Sequence, residues 1–255
     1  MRIALENVHP MGLPWIDTVE TYPSLPSTNT LARTRIQQQC PAGTVIRARR
    51  QTAGRGRQGR SWFGHTGSLT FSIVWPLRLA LPEAVSLVIG IAAAETLAQW
   101  VPAVRVKWPN DLWIGHRKAG GMLGETVVVD GERWLIFGMG INVNGSYHLN
   151  EASNEAVSLE ECVGRPLALD TVLARLLTQI DSTLTQYASG RRCLQDDLKH
   201  WGNFLNREVT VQDHRRHFVG IAEAVQADGS LLIRTAEGLV TLRAGDVSLR
   251  PSTSA

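Results

Sequence analysis

Between Ala103 and Asn144, three stretches rich in apolar and β-branched residues follow one another: AVRVKWPNDLWIG, GGMLGETVVVD and RWLIFGMGINVN. Only the short polar links GHRKAG and DGER separate them. Links this short join antiparallel neighbours; a parallel pair needs a crossover of a dozen residues or more. The tract therefore predicts three adjacent strands and argues against a sheet built throughout from alternating strands and helices. Immediately upstream, Glu83 to Trp100 is helical in period and apolar on most sides, the pattern of a buried helix.

The rest of the chain fits around this centre. TLARTRIQQQ reads as a helix that Ser27, Thr28 or Asn29 can cap. GTVIRARRQ and SLTFSIVWPL read as strands, the second stopped by Pro76. Two further helices are predicted near 170–187 and 191–204. From Glu208 to Arg250 the pattern changes to short strands, EVTVQ, HFVGIAEAVQ, SLLIRT and GLVTLR, with turns at ADGS and AEG, as in a small β-barrel; RPSTSA reads as a disordered tail. The expectation is an α+β fold with a boundary near Leu205 to Arg207. Residues 1–205 form a mixed sheet packed with helices, and residues 206–255 form the small barrel.

Composition sets limits. With 44% hydrophobic and 19% charged residues and a net charge of +3, the chain has an ordinary globular balance and no general need of a polyanionic partner. Cys40, Cys162 and Cys193 are odd in number and widely spaced, which argues against a disulfide framework or a paired-cysteine metal site. The start, MRIALENVHPMGLPW, lacks the apolar core of a signal peptide. The longest apolar run contains Glu95 and ends polar, so no membrane span is expected, and a reducing cytoplasm is the simplest compartment.

One stretch is chemically unusual. RQTAGRGRQGRSW, Arg50 to Trp62, holds four arginines and three glycines and no acid. Gly54 to Gly59 spells G-x-G-x-x-G, but a dinucleotide fingerprint opens a helix, and here Gly64, Gly67 and a strand follow. An RNA-binding arginine tract is a second reading, since guanidinium forks bind phosphates and Trp62 or Phe63 could stack on bases. The plainest reading is a solvated loop.

Other motifs bear on this choice. SLPSTNT lies upstream; KWPNDLW begins at Lys107; KAGGMLGE begins eleven residues later at Lys118; GMGINVN runs from Gly138 to Asn144. Taken in order, from about Leu25 to Arg250, the set resembles the biotin protein ligases (biotin–[acetyl-CoA-carboxylase] ligases), and the pairing of GRGR with KWPND is specific where either alone is weak. The resemblance implies a class II synthetase-like catalytic domain with a C-terminal SH3-like barrel. It also implies ATP- and Mg²⁺-dependent activation of biotin to biotinyl-5′-AMP, and transfer to one lysine of a biotin carboxyl carrier domain of acetyl-CoA carboxylase.

The residue types suit that chemistry. A carboxylate attacking an α-phosphorus is an anion meeting a polyanion, so cations must offset the repulsion. By resemblance, biotin is contacted by Ser27, Thr28, Asn29, Gln51, Arg55, Gly56, Arg57, Trp62, Lys107, Gly120 and Gly121. ATP and the adenylate are contacted by Arg55, Arg57, Lys107, Asn110 and Asn142. Lys107 and Arg57 are the catalytic pair, Lys107 acting electrostatically and not as a nucleophile. Several of these residues keep a structural alternative: Ser27–Asn29 as a helix cap, Trp62 as a core aromatic, and Asn110–Asp111 as a plain turn. Asp111 is otherwise the Mg²⁺ residue, directly or through water. Lys118 reads as a surface lysine or a phosphate contact, and His65 as a loop histidine or the lone candidate for a general base in the transfer step.

Several bacterial relatives carry an N-terminal helix-turn-helix domain. About 25 residues precede the STN motif here, so a ligase without DNA binding is expected. Relatives commonly form a homodimer through the sheet, and nothing in this sequence argues for one independently. The rival readings are a lipoate or octanoate ligase, which lacks the paired motifs, and an RNA-binding module.

Overall fold

In the computed structural model, which describes residues 6–79, 81–145, 156–212, 217–243 and 248–251, the central sheet has eight strands. They are β1 (Asn7–Pro10), β2 (Thr18–Tyr22), β3 (Thr44–Ala48), β6 (Ser68–Pro76), β7 (Val104–Lys107), β8 (Asp111–Ile114), β9 (Arg117–Val129) and β10 (Glu132–Asn142), in the order β1-β2-β3-β6-β10-β9-β8-β7. Only β2 and β3 run parallel, so the sheet is mixed. AVRVKWPNDLWIG, expected as one strand, is a hairpin: β7 and β8 pair Val104 with Ile114 and Lys107 with Asp111, and Trp108–Pro109–Asn110 forms the corner. A proline has no N–H for a ladder, which is why the pairing breaks there.

The pleat of β10 explains how the sheet divides its two faces. Side chains alternate along a strand. Leu135, Phe137, Met139 and Ile141 join the larger core together with helices α2 (Val85–Leu97), α4 (Leu169–Ala188) and α5 (Leu194–Trp201). Each such fully buried side chain contributes about 1.5–3 kcal/mol relative to exposure. The alternate positions read Trp134, Ile136, Gly138, Gly140 and Asn142. The first two pack with Ala32 and Ile36 of α1 (Thr28–Gln37) in a second, smaller core. Beyond them the two glycines leave the sheet bare.

The arginine–glycine stretch is a small ribbon. Strands β4 (Gly54–Arg55) and β5 (Ser61–Trp62) pair around one 3₁₀ turn at Arg57–Gly59. Gly54 cannot be another residue, because a Cβ there would lie 2.5 Å from the Trp62 carbonyl oxygen. No helix follows, so the G-x-G-x-x-G spelling has no dinucleotide geometry behind it.

The C-terminal strands are β11 (Glu208–Gln212), β12 (His217–Val225), β13 (Leu231–Thr235), β14 (Gly238–Leu242) and β15 (Ser248–Pro251). They form an SH3-like antiparallel sheet in the order β14-β13-β12-β11-β15. Two details differ from expectation. A fifth strand occupies the start of the RPSTSA tail, and among the described residues no β14–β15 pairing closes the sheet into a barrel. The rest of the tail, 252–255, lies outside the described residues. Val209, Val211, Ala222, Val225, Leu231 and Ile233 belong to the same core as α2. The expected boundary at 205–207 falls between α5 and β11. Strands β1 and β2 and helix α3 (Leu159–Val163) were not foreseen. The three cysteines are unbonded, and no helix among the described residues is long and apolar enough to cross a membrane.

Candidate active site

The bare strip of sheet is the floor of a cleft of about 320 Å³. Cross-strand partners share a face, so Gly138 and Gly140 of β10 are joined there by Leu123 and Gly121 of β9 and by Ser72 and Thr70 of β6. Asn29 stands over Gly138 and the Trp62 ring over Gly140: a Cβ would lie 2.4 Å from Asn29 Oδ1 at the first position and 2.3 Å from Trp62 Cε2 at the second. Trp62 Nε1 is buried without a hydrogen-bond partner among the described residues.

One end of the cleft is a cup of neutral hydrogen-bonding groups. Ser27 precedes α1 but its side chain makes no capping bond. The cap comes from elsewhere: Gln51 Oε1 accepts from the Thr28 backbone N–H at 2.7 Å and from the Thr28 hydroxyl at 3.1 Å. The Ser72 hydroxyl lies 2.7 Å from Thr28 Oγ1 and 2.6 Å from Asn29 Oδ1, and Asn29 Nδ2 donates to Glu125 Oε2 at 2.8 Å. Ser27, Thr28 and Asn29 are all buried. The side chains of Thr28 and Asn29 are held by partners behind them, the arrangement that keeps a binding group in place.

The other end is cationic. Arg57 Nη1 donates to Asn110 Oδ1 at 2.9 Å. Asn110 is itself fixed to β9, its Nδ2 donating to the Met122 carbonyl at 2.6 Å and its carbonyl accepting from Met122 N–H at 2.9 Å. Lys107 Nζ lies 3.5 Å from the centroid of the Trp113 ring, within cation–π range. Lys118 Nζ donates to Asp111 Oδ1 at 2.6 Å, its side chain lying beside Gly121. Asn142 Nδ2 reaches the Lys118 and Val157 carbonyls, both at 3.3 Å. Arg55 and Arg60 are exposed at the mouth, beside Phe63.

Every residue that the sequence nominated lines this one cleft except Gly120. The pleat turns Gly120 to the helix face, where a Cβ would lie 3.3 Å from Leu112 Cδ1 and 3.5 Å from Ile141 Cγ1. Sequence reading missed Ser72, Glu125, Gly138, Gly140, Leu123 and Trp113. His65 is not among the lining residues: its Nδ1 accepts from Gly67 N–H at 2.9 Å, and burial lowers its pKa. Nor do the six arginines from Arg47 to Arg60 make one basic surface. Arg47 is buried against Asp170, and Arg49 pairs with Glu6 at 2.6 Å.

Asp111 is the only acid lining the cleft among the described residues, and those residues hold no cluster of three His, Cys, Asp or Glu able to bind a metal by itself. A single carboxylate is the donor set expected where Mg²⁺ arrives largely on substrate phosphates.

A neutral hydrogen-bonding cup and a cationic end share one glycine-floored strip, an arrangement that suits a small ligand with an uncharged polar part and an anionic part. Residues 21–144 match the biotin/lipoate A/B protein ligase family, and residues 204–250 match the biotin protein ligase C-terminal domain. The chain is 33% identical over 242 residues to the bifunctional ligase/repressor BirA of Escherichia coli, covering 91% of this chain and 74% of that protein. It is 27% identical over 214 residues to the biotin–[acetyl-CoA-carboxylase] ligase of Mycobacterium tuberculosis, covering 80% and 78%. The biotin protein ligase of Aquifex aeolicus, solved with biotin and ATP, superposes with a TM-score of 0.76 at 28% identity over 92% of this chain and 99% of that one. The chain belongs to the biotin protein ligase family.

Proposed function

We propose that the protein activates biotin with ATP and transfers it to a lysine of the biotin carboxyl carrier protein of acetyl-CoA carboxylase. The observation that carries this reading is the meeting of two distant motifs, through Arg57 and Asn110, at one end of a trough whose other end is the Thr28–Asn29–Gln51 cup.

The neutral cup suits the ureido ring of biotin, which offers both donors and an acceptor, and the glycine floor leaves room for the fused rings. The carboxylate then points toward Arg57 and Lys107. One of its oxygens attacks the α-phosphorus of ATP, the α–β P–O bond breaks, and pyrophosphate leaves. Lys107 and Arg57 stabilise charge on the carboxylate and the phosphoryl oxygens, for which pre-positioned cations are effective. Mg²⁺ would offset phosphate charge, and Asp111 is the residue to hold it, at the cost of its Lys118 pair. Asn142 and Lys118 flank the nucleotide end. In the second step a neutral acceptor amine attacks the acyl carbon, the acyl–phosphate bond breaks, AMP leaves and the amine loses a proton. A free lysine amine has a pKa of about 10.4. The exposed Arg55 and Arg60 ribbon is the element placed to cover the adenylate against water. The domain division at 205/206 belongs to this reading.

Pyrophosphate exchange into ATP, measured with biotin, with lipoate and with neither, tests it. Exchange that depends on biotin alone is expected; exchange indifferent to biotin overturns the reading.

A further inference from the structure

Lys107 is flanked on both sides by residues tied to the C-terminal part of the chain. On one side, the Val106 carbonyl accepts from Asn203 N–H at 3.2 Å, and Val106 forms a bridge with Gly202. On the other, Trp108 is 1% exposed and its Nε1 donates to the Gly229 carbonyl at 2.9 Å across 121 positions of sequence. Gly229 lies in the turn between β12 and β13. Its φ of +83° is in the left-handed region, and a Cβ there would lie 3.1 Å from Ala84 Cβ at the start of α2. The turn is thus pressed between α2 and the KWPND corner. It is also rigid: Ser230 Oγ lies 2.6 Å from both Gln226 Oε1 and Asp228 Oδ1, and Gly229 N–H donates to the Gln226 carbonyl at 2.9 Å.

A buried indole N–H needs an acceptor, and losing it leaves both groups unpaired in the core. We propose that Trp108 is a positioning residue: through the Trp108–Gly229 hydrogen bond, the C-terminal sheet fixes the place at which Lys107 presents its ammonium to the cleft. The inference rests on Lys107 acting in adenylation. It gives the C-terminal sheet a part in the first chemical step without any of its described residues lining the cleft.

Two substitutions approach the bond from opposite sides. Trp108→Phe keeps an aromatic ring but removes the donor. Gly229→Ala leaves every lining residue in place and drives the turn away from Ala84. The readouts are the rate of biotin-dependent pyrophosphate exchange at saturating substrates, the Kd for biotin without ATP, and the thermal melt. Each variant should melt cooperatively, bind biotin within about twofold of wild type and exchange roughly tenfold or more slowly, the scale expected for an ångström-level misplacement. In a Lys107→Ala background, adding Gly229→Ala should cost almost nothing further, because the group it positions is gone. A simple loss of fold would act equally in both backgrounds. Undiminished exchange in either variant overturns the proposal, as does a Gly229→Ala penalty of the same size with and without Lys107. Should Gly229→Ala not fold, the exposed Asp228→Ala loosens the same turn and should give the same sign with a smaller loss; no loss there is equally fatal. Wild-type protein that shows no biotin-dependent exchange would instead remove the proposed function on which this rests.

Discussion

Arg57 and Asn110 lie 53 positions apart and meet at 2.9 Å, guanidinium to amide oxygen. The contact joins the arginine–glycine ribbon to the KWPND corner before any ligand is considered, and it does so through an asparagine already fixed to β9 by two bonds to Met122. Removing the amide leaves Arg57 without that guide. Asn110→Ala should therefore lower the rate of biotin-dependent pyrophosphate exchange by about 10- to 100-fold, the usual effect of a misplaced catalytic group. Steady-state exchange kinetics read it; a wild-type rate would show that Arg57 does not need this partner.

Lys107 makes a different prediction, since it is assigned to the charge of the reaction itself. Lys107→Ala removes one cation where negative charge develops and should reduce kcat for adenylation on the order of 10²–10³-fold. Half-buried on the last position of β7, it can be truncated without opening the main core, so the circular dichroism spectrum and a cooperative melt should persist. Near-normal turnover would remove Lys107 from the mechanism.

The glycine floor can be tested one position at a time. At Gly138 a methyl group would lie 2.4 Å from Asn29 Oδ1, and behind that oxygen stand Ser72 and, through Nδ2, Glu125. The asparagine has no free space to retreat into, and such overpacking costs about 1–3 kcal/mol. Gly138→Ala is expected to weaken biotin binding by roughly tenfold or more on that scale while changing the KM for ATP little. Calorimetric titration with biotin measures the first and exchange kinetics the second; equal losses for both substrates would mean that the cup and the cationic end are not separate.

The contrast between Gly120 and Gly138 shows what the sequence could convey. Both belong to motifs that the resemblance made conspicuous. The resemblance nominated Gly120 and Gly121 together, yet adjacent residues of a strand face opposite sides, so only one of the pair can line a cleft. The period-two reading of LIFGMGIN, apolar at alternate positions and glycine between, contains the floor at Gly138 and Gly140, but which face is covered by helices is a tertiary fact. Ser72 and Glu125 carried a weaker signal, polar side chains within otherwise apolar strands. Their purpose emerges only when β6 and β9 come together beneath α1. The KWPND hairpin was hidden for a related reason: Pro109 announces a break in pairing, not the direction in which the chain continues. The cap of α1 could not be read locally at all, because Gln51 supplies it from 23 positions away. Strand and helix identities, being set by local pattern, were the most legible part of the fold. The partnership of Trp108 with Gly229 joins residues 121 positions apart, beyond the reach of any local pattern.

His65 gives a pH dependence whose sign can be worked out. Burial lowers its pKa, and its Nδ1 accepts from Gly67 N–H, a bond that the neutral ring alone can make. The unfolded chain, with an ordinary imidazole near pH 6.5, therefore takes up a proton more readily than the folded chain does. Where the unfolded state binds more protons, stability rises with pH. The folded protein should accordingly lose stability as pH falls from about 6.5 toward the lowered folded value, with no further contribution from this group above or below that window. Replacing His65 by Gln keeps a side-chain acceptor for Gly67 but cannot titrate. Thermal melts followed between pH 7.5 and 5 should fall more steeply for the wild type than for His65→Gln, the difference opening below about pH 6.5. Parallel slopes for the two proteins would mean that the histidine is protonated as easily in the fold as out of it, and that its bond to Gly67 contributes nothing in this range.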